Sequence, residues 1–170
     1  MHMITSVVGN IFRDMTLQSR FKKMKSVGNY ERLQISRLET ERGRLRRKTD
    51  RGTDVGLVLK AGTKLQHGDV LLSTQEKLIV VEQLPEKIIS IRLKKKSKNL
   101  TQLCVKIGHI IGNRHRPIVV DDKGIISFPI LADSEVDVFR KLLHTVIDHI
   151  ELKVEERIFQ PTEGMDVHEH

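Results

Sequence analysis

Histidine is the residue type in this sequence with the clearest capacity for chemistry. The chain holds eight histidines but a single cysteine, Cys104, which excludes a thiolate metal cluster and an intrachain disulfide. His115 lies in a short connection before Pro117, where the backbone is biased towards an extended conformation and an imidazole can reach outward. His168 and His170 end the sequence. Because imidazole nitrogens bind nickel, copper and zinc, these three histidines are candidate metal ligands.

The same histidines also have simpler interpretations. One imidazole cannot hold a metal ion alone, so residue chemistry by itself favours His115 as an ordinary surface side chain, and mobile tail residues often have no role. His109 lies off the apolar stripe of its predicted helix, which favours a solvated side chain. His144 and Asp148 are four residues apart on a predicted helix, where an ion pair is simpler than a metal pair. No enzymatic activity is expected, since no nucleophile–base pair, phosphate-binding glycine loop or acid pair stands out.

The elements that must position His115 follow a β-α-β-β-α-β order in the second half of the chain. Ile89, Ile91 and Leu93 alternate with polar residues, as in a half-buried strand. Asp121–Gly124 is a typical hairpin turn between two further strands, and a last strand follows at 152–158. This order is that of the ferredoxin-like fold.

Two apolar stripes at helical spacing predict the helices of this half. The first helix has Asn99 as its N-cap and ends near Gly112, and the second begins with a capping box from Ser134 to Asp137. The stripes consist of Leu100, Leu103, Cys104, Ile107, Ile110 and Ile111, and of Val136, Phe139, Leu143, Val146 and Ile150. Cys104 is therefore expected to be a buried packing residue.

The first half of the chain consists of predicted short strands separated by glycine and aspartate turns. No apolar stripe at helical spacing in this half is long enough to predict a helix instead. Four runs have strand character, at 33–38, 55–59, 70–72 and 78–81. Gln83–Glu86 breaks this pattern with a proline. We therefore predict an α+β protein, with a small all-β N-terminal domain at 1–83, a ferredoxin-like domain at 86–159 and a flexible tail at 160–170.

Charge is unevenly distributed along the chain. Residues 1–60 hold 14 basic and 6 acidic residues, residues 61–100 hold 8 and 4, and residues 101–170 hold 8 and 12, which sum to the net charge of +8. The basic front half, including the segment Ile11–Asn29, raises the prospect of an anionic partner, either nucleic acid or acidic protein. No apolar run approaches the ~20 residues of a membrane span and no secretory segment opens the chain, so a soluble, cytoplasmic protein is expected.

The segment Gly112–Pro117, of sequence GNRHRP, resembles a motif of the urease accessory protein E family of nickel metallochaperones. Its context, inside a ferredoxin-like domain and behind a small β domain, is similar to that of the family. Further blocks resemble the family in the same order, namely Val8–Asn10, Glu41–Arg47, Thr49–Gly56 and Gly68–Leu71. The resemblance covers nearly the whole chain.

This resemblance implies a carrier rather than an enzyme. It implies a homodimer in which His115 of each subunit shares one Ni(II) at the two-fold axis, while His168 or His170 completes the coordination. It also implies that nickel passes to the urease apoprotein through the urease accessory GTPase, and that the N-terminal domain binds protein or peptide partners. Two tail histidines argue against a large nickel store. Zn(II) and Cu(II) stay open as occupants of the same site.

The alternative is an RNA-binding ferredoxin-like module that uses a basic surface. RNA recognition motifs share the element order and stack bases on aromatic rings of their central strands. Neither Lys87–Leu93 nor Ile118–Val120 contains an aromatic residue. An RNA-binding module would then depend on electrostatic contacts alone, so nucleic acid is not the expected partner.

Overall fold

The chain divides into two units, Met1–Leu84 and Pro85–His170. The computed structural model describes residues 1–94 and 99–161. Within these residues, no helix combines the length and apolar character needed to cross a membrane.

The N-terminal unit consists mainly of two small sheets. Its elements are β1 (His2–Ile4), β2 (Gly9–Asn10), α1 (Met15–Ser26), β3 (Tyr30–Ile35), α2 (Arg37–Thr40), β4 (Arg44–Lys48), β5 (Asp54–Val58), β6 (Asp69–Ser73) and β7 (Leu78–Gln83). One sheet has the strand order β1-β5-β4 and the other the order β2-β6-β7-β3.

Strand β7 is buried on both faces, and its alternation separates two parts of the core. Leu78 and Val80 join a cluster under helix α1, whereas Ile79 and Val81 join a cluster that includes residues of the other sheet. A continuous apolar run such as 78–81 is typical of a strand covered on both sides. The predicted strands at 55–59, 70–72 and 78–81 are confirmed as β5, β6 and β7.

Helix α1 is the main departure from the sequence prediction, which allowed no helix in this half. The carboxylate of Asp14 caps it by accepting hydrogen bonds from the backbone N–H groups of Thr16 (2.8 Å) and Leu17 (3.0 Å). Its inward side chains are Leu17, Phe21 and Met24. This stripe is too narrow to predict a helix from sequence, because packing against the sheet supplies most of the stabilisation.

The predicted strand at 33–38 ends early, since β3 stops at Ile35. A capping box follows, in which the carboxylate of Glu39 accepts a hydrogen bond from the Ser36 N–H at 3.0 Å. This contact starts the short helix α2 and turns the chain away from the sheet.

The C-terminal unit has the ferredoxin-like topology, so the predicted α+β fold class is confirmed. Its elements are β8 (Glu86–Leu93), α3 (Leu100–Gly112), β9 (Val119–Val120), β10 (Ile126–Pro129), α4 (Ser134–Leu142), a 3-10 turn (Ile147–His149) and β11 (Ile150–Arg157). The four strands form one antiparallel sheet of order β11-β8-β10-β9. The predicted hairpin turn closes with a hydrogen bond from the Gly124 N–H to the Asp121 carbonyl at 2.9 Å.

Helix α3 packs on this sheet through Leu103, Ile107 and Ile111. Cys104 is exposed, so its prediction as a buried residue is wrong. One residue step rotates the helix by about 100°, which carries position 104 from the buried face onto the flank. Asn99 precedes the helix with φ of 60° and makes no side-chain cap bond, contrary to its predicted capping role.

Helix α4 is shorter than predicted, because it ends at Leu142 rather than continuing to Ile150. The N-cap is Asp133, with no side-chain cap bond, so the predicted capping box at Ser134 is also wrong. The later apolar positions still enter the core, but from a turn, the 3-10 segment and the start of β11; they are Leu143, Val146 and Ile150.

Candidate metal centre

His115 lies in the turn that ends helix α3. Its backbone N–H donates to the Gly112 carbonyl at 2.9 Å, and the Arg116 N–H reaches the Ile111 carbonyl at 3.5 Å. These two bonds form a Schellman motif, in which the residue just past the helix takes the left-handed conformation. His115 is that residue, with φ of 51°. Helix α3 ends at Gly112, as the sequence predicts, and the left-handed residue follows it at His115.

An imidazole at this position carries a conformational penalty. Glycine adopts the left-handed region freely, whereas a residue with a Cβ is strained there by about 1–2 kcal/mol. The His115 side chain is exposed, and within residues 1–94 and 99–161 it forms no hydrogen bond that would offset the strain. Strain of this kind collects at functional sites, where the side chain serves something other than folding.

The connection after His115 is fixed by an ion pair. Arg116 Nη2 lies 2.5 Å from Glu135 Oε1 in the first turn of α4, and the second Glu135 oxygen accepts a hydrogen bond from the Leu131 N–H at 3.0 Å. Both charged side chains are mostly buried, with exposures of 16% and 24%. A hollow of about 450 Å³ beside this pair is lined by Asn113, Arg114, His115, Arg116, Glu135, Val138 and Phe139. Arg116 is part of the GNRHRP segment, but no pattern in the sequence indicates that it pairs with Glu135.

His109 lies one turn before the end of α3 and is exposed, as predicted. Its Nε2 accepts a hydrogen bond from Asn113 Nδ2 at 3.0 Å, which occupies that ring nitrogen. His144 follows α4 rather than lying on it, and its Nδ1 is 2.8 Å from the Lys141 carbonyl oxygen. His144 and Asp148 therefore do not share one helix face, and the prediction that both lie on α4 is wrong.

The described part of the chain does not bring several donors to His115. No group of three or more histidine, cysteine, aspartate or glutamate side chains in residues 1–94 and 99–161 is arranged to hold a metal ion. His168 and His170 lie outside the described residues, so their predicted role stays a prediction. A metal ion at His115 must take its remaining ligands from the tail, from a second copy of the chain or from solvent.

The open face of the C-terminal sheet offers no stacking platform for bases. A hollow of about 390 Å³ on this face is lined by Ser90, Arg92, Val119, Asp121, Ile125, Ser127, Glu151, Lys153, Glu155 and Arg157, none of them aromatic. Lys153 and Arg157 both pair with Glu155, at 3.0 and 3.3 Å. Hydrogen bonds from Lys153 and Ser90 hold the pKa of Glu155 below its usual range.

The N-terminal unit presents an open sheet edge at β4, which pairs only with β5 among the described strands. In an antiparallel ladder, residue pairs that are hydrogen-bonded to each other alternate with pairs that are not. The bond from the Thr49 N–H to the Thr53 carbonyl (2.9 Å) shows which pairs of β4 and β5 are hydrogen-bonded. The backbone groups of Arg44, Arg46 and Lys48 consequently point away from β5. The sequence of β4, RLRRK, carries four cations in five residues, which is typical of an edge strand rather than a central one.

A groove of about 740 Å³ lies beside this edge, lined by Gln34, Glu39, Arg46, Arg47, Lys48, Thr49, Asp50, Asp54 and Leu84. Arg46 holds Asp54 with two hydrogen bonds of 3.1 and 2.7 Å, and Arg47 pairs with Glu39. The bond from Arg46 lowers the pKa of Asp54. Burial acts to raise the pKa of Glu39, but hydrogen bonds from Ser36 and Arg47 lower it overall. Both carboxylates are therefore ionised at neutral pH, and the groove offers charges of both signs.

Family models match both units of the chain. The model described as UreE urease accessory protein, N-terminal domain, matches residues 16–84, and the model for the C-terminal domain of the same protein matches residues 86–170. The matched C-terminal region includes His115 and both tail histidines.

Individual relatives agree with these models. The urease accessory protein UreE of Natronomonas pharaonis is 30% identical over 136 residues, which cover 80% of this chain and 63% of that relative. The protein of the same name from Haemophilus influenzae strain PittEE is 30% identical over 124 residues, covering 72% of this chain and 64% of the relative. In both cases the chain spans less than two-thirds of the relative's own length. The resemblance found in the sequence is thus confirmed, and the chain belongs to the UreE family of urease accessory proteins.

Proposed function

We propose that this protein is a nickel metallochaperone that delivers Ni(II) to the urease apoprotein during assembly of the urease active site. The observation that carries the proposal is His115, an exposed imidazole held in a left-handed conformation at the end of α3. Two such imidazoles, one from each copy of a homodimer, form the nucleus of the site. His168 or His170 completes the coordination.

A shared site of this kind suits cargo rather than a permanent cofactor. Imidazole nitrogens favour nickel, and the same donors accept Zn(II) and Cu(II), so selectivity depends on geometry and metal supply. Because the donors lie on an exposed turn, a metal ion can enter and leave without unfolding either subunit. The ion is the substrate of the carrier, and no catalytic step is assigned to the protein.

The exposed flank of α3 supports the homodimer. Cys104, Gly108 and Gly112 follow one another at intervals of four residues and lead directly to His115. A Cβ built on either glycine would meet no atom within 4 Å in the part of the chain that the structure describes. Glycine weakens a helix by about 1 kcal/mol relative to alanine, so two glycines without a local reason are consistent with close approach of a second helix.

The partners we propose are the urease accessory GTPase and the urease apoprotein. The N-terminal domain (1–83) binds protein or peptide partners, while the ferredoxin-like domain (86–159) and the tail (160–170) hold the metal. The open edge of β4 supports the first role, because its outward backbone groups can pair with an extended segment of another protein.

Equilibrium dialysis with Ni(II), run beside analytical ultracentrifugation, tests the proposed site. His115→Ala removes two donors per dimer and should abolish tight nickel binding, whereas deletion of Val167–His170 should leave one weaker ion per dimer. His109→Ala removes another exposed histidine of the same helix and should bind nickel normally. The dimer should survive all three changes, since apolar and backbone contacts rather than metal hold it together.

The proposed delivery needs a second assay. Nickel-loaded protein, mixed with urease apoprotein, the accessory GTPase and GTP, should transfer its ion and activate urease, and His115→Ala should not. Normal nickel binding by His115→Ala, together with loss of binding in the truncated chain, would show that the tail is the whole site.

A further inference from the structure

Helix α1 and the turn before it carry positive charge that the proposed nickel site does not use. The helix contains Arg20, Lys22, Lys23 and Lys25 but no acidic residue between Met15 and Ser26. Like charges recur three residues apart along it, an arrangement that weakens a helix. Attraction between the last-turn lysines Lys23 and Lys25 and the helix dipole explains only part of this charge.

The cations of this region lack acidic partners. Among the described residues, Arg13, Lys22, Lys23 and Lys25 form no ion pair. Lys25 Nζ lies 5.9 Å from the centre of the Phe21 ring, which is its one described side-chain interaction. This contrasts with β4, where Arg46 and Arg47 are both paired with carboxylates.

Two apolar side chains are displayed beside this charge. Phe12 is 63% exposed and Met15 is 82% exposed. Phe12 is nevertheless fixed, because its ring stacks on His67 with centroids 5.4 Å apart. Its ring also fills the space of a Cβ at Gly68, whose φ is +87°.

The turn that presents Phe12 is rigid as well. The buried side chain of Asn10 accepts a hydrogen bond from the Phe12 N–H at 2.9 Å and donates to the His67 carbonyl at 3.0 Å. It also donates to Asp69 at 2.9 Å. The Phe12 ring is therefore already fixed on the surface, and it loses little conformational entropy when a partner covers it.

We propose that this surface, the α1 patch (Phe12, Arg13, Met15, Lys22 and Lys25), docks an acidic segment of a partner protein that also carries an apolar side chain. Met15, Lys22 and Lys25 lie on one side of the helix, and Phe12 and Arg13 lie just before its N-cap residue, Asp14. The unpaired cations attract carboxylates, while Phe12 and Met15 supply the aromatic and methionine contacts typical of protein interfaces.

Two other anionic partners fit the α1 patch less well. A membrane-binding helix must offer its apolar face to lipid, but Leu17, Phe21 and Met24 of α1 are already packed against the sheet. Single-stranded RNA requires several rings on which successive bases stack, and one face of the Phe12 ring, the one ring in the patch, is already covered by His67.

The test follows the methyl NMR signal of Met15 in the full-length protein. The probes are a synthetic helical peptide of glutamate and leucine, the same peptide with glutamine in place of glutamate, poly(U) RNA and phosphatidylserine vesicles. The glutamate peptide should shift the Met15 signal saturably, with affinity falling about tenfold or more from low to high salt. The glutamine peptide should bind at least about tenfold more weakly.

A charge-neutral variant supplies the decisive comparison. Arg13→Gln/Lys22→Gln/Lys25→Gln retains helix propensity and should lose binding of the glutamate peptide without a fall in the unfolding temperature. The control removes the same charge elsewhere.

The control is Lys60→Gln/Lys106→Gln/Lys123→Gln, which should bind like the wild type. The proposal is overturned if the Met15 signal does not respond to the glutamate peptide, or if the control variant loses as much affinity. It is equally overturned if poly(U) or the vesicles shift Met15 at lower concentration than the peptide does.

Discussion

At His115, folding and the proposed metal binding favour different residues: the left-handed turn favours glycine, whereas the metal site needs an imidazole. At φ of 51°, glycine would satisfy the Schellman turn better than histidine. Replacement of histidine by glycine relieves about 1–2 kcal/mol of strain and adds about 0.5–1 kcal/mol of chain entropy to the unfolded state. The relief of strain is larger than the entropy cost, so the net change in the free energy of unfolding is measurable.

We therefore expect His115→Gly to stabilise the protein by about 0.5–1 kcal/mol while it removes the proposed nickel ligand. Urea denaturation of the metal-free protein measures the first effect, and a nickel isotherm measures the second. His115→Ala is the matched control, because alanine loses the imidazole but keeps the strain. Lower stability of His115→Gly than of His115→Ala would mean that the turn is not strained.

The connection between α3 and β9 is positioned by one partly buried ion pair, that of Arg116 with Glu135. Glu135→Gln keeps the shape of the side chain but removes its charge. We expect a loss of about 1–2 kcal/mol of stability, because Arg116 then lacks its charged partner. Nickel affinity should also fall severalfold as the turn that carries His115 loosens. Asp137→Asn is the control, since its pair with Arg140 is exposed. An unchanged nickel isotherm for Glu135→Gln would show that the Arg116–Glu135 pair does not support nickel binding.

Three elements of the N-terminal unit are joined through the buried carboxylate of Glu31 on β3. Its oxygens accept hydrogen bonds from Lys77 Nζ (2.6 Å), which precedes β7, and from the hydroxyl of Thr49 (2.6 Å), which follows β4. Burial acts to raise the pKa of Glu31, but these hydrogen bonds lower it from 4.5 to about 2. The folded state therefore binds the ionised form better than the unfolded chain does.

A carboxylate whose pKa is lowered on folding stabilises the protein above its unfolded pKa and loses that effect as the pH falls towards its folded pKa. For Glu31 this window runs from about pH 5 down to about pH 2, and the full contribution is about 3 kcal/mol. We expect Glu31→Gln to destabilise the N-terminal unit by that amount at pH 7 and by less than half as much at pH 3. Urea denaturation at both pH values measures the difference, and an equal loss at both would contradict it.

The assembly proposed here depends on two copies of α3 meeting along Cys104, Gly108 and Gly112. Gly108→Leu places a branched side chain on that face, where the single chain leaves open space among its described residues. We expect the protein to sediment as a monomer, to lose tight nickel binding, and to unfold no more easily, because leucine favours the helix by about 0.8 kcal/mol over glycine. Lys106→Leu, on another face of the helix, should stay dimeric. A wild-type sedimentation profile for Gly108→Leu would show that the subunits meet elsewhere.

The spacing of apolar residues along the chain determined several secondary-structure elements of this protein directly. The alternation at Ile89, Ile91 and Leu93 and the stripe at Leu103, Ile107 and Ile111 each describe one face of one element, which the local sequence encodes. The order of these elements then specified the ferredoxin-like topology, and the GNRHRP segment pointed to His115 and to the family.

Other features depended on neighbours that are distant in the sequence. Helix α1 forms because the sheet covers its narrow apolar stripe, and Cys104 is exposed because no element packs on its flank among the described residues. The pairing of Arg116 with Glu135 joins the connection after α3 to the first turn of α4, 19 residues further along the chain. Sequence thus determined which imidazole to consider, and tertiary structure decided its strain, exposure and support, because those properties belong to contacts rather than to residue types.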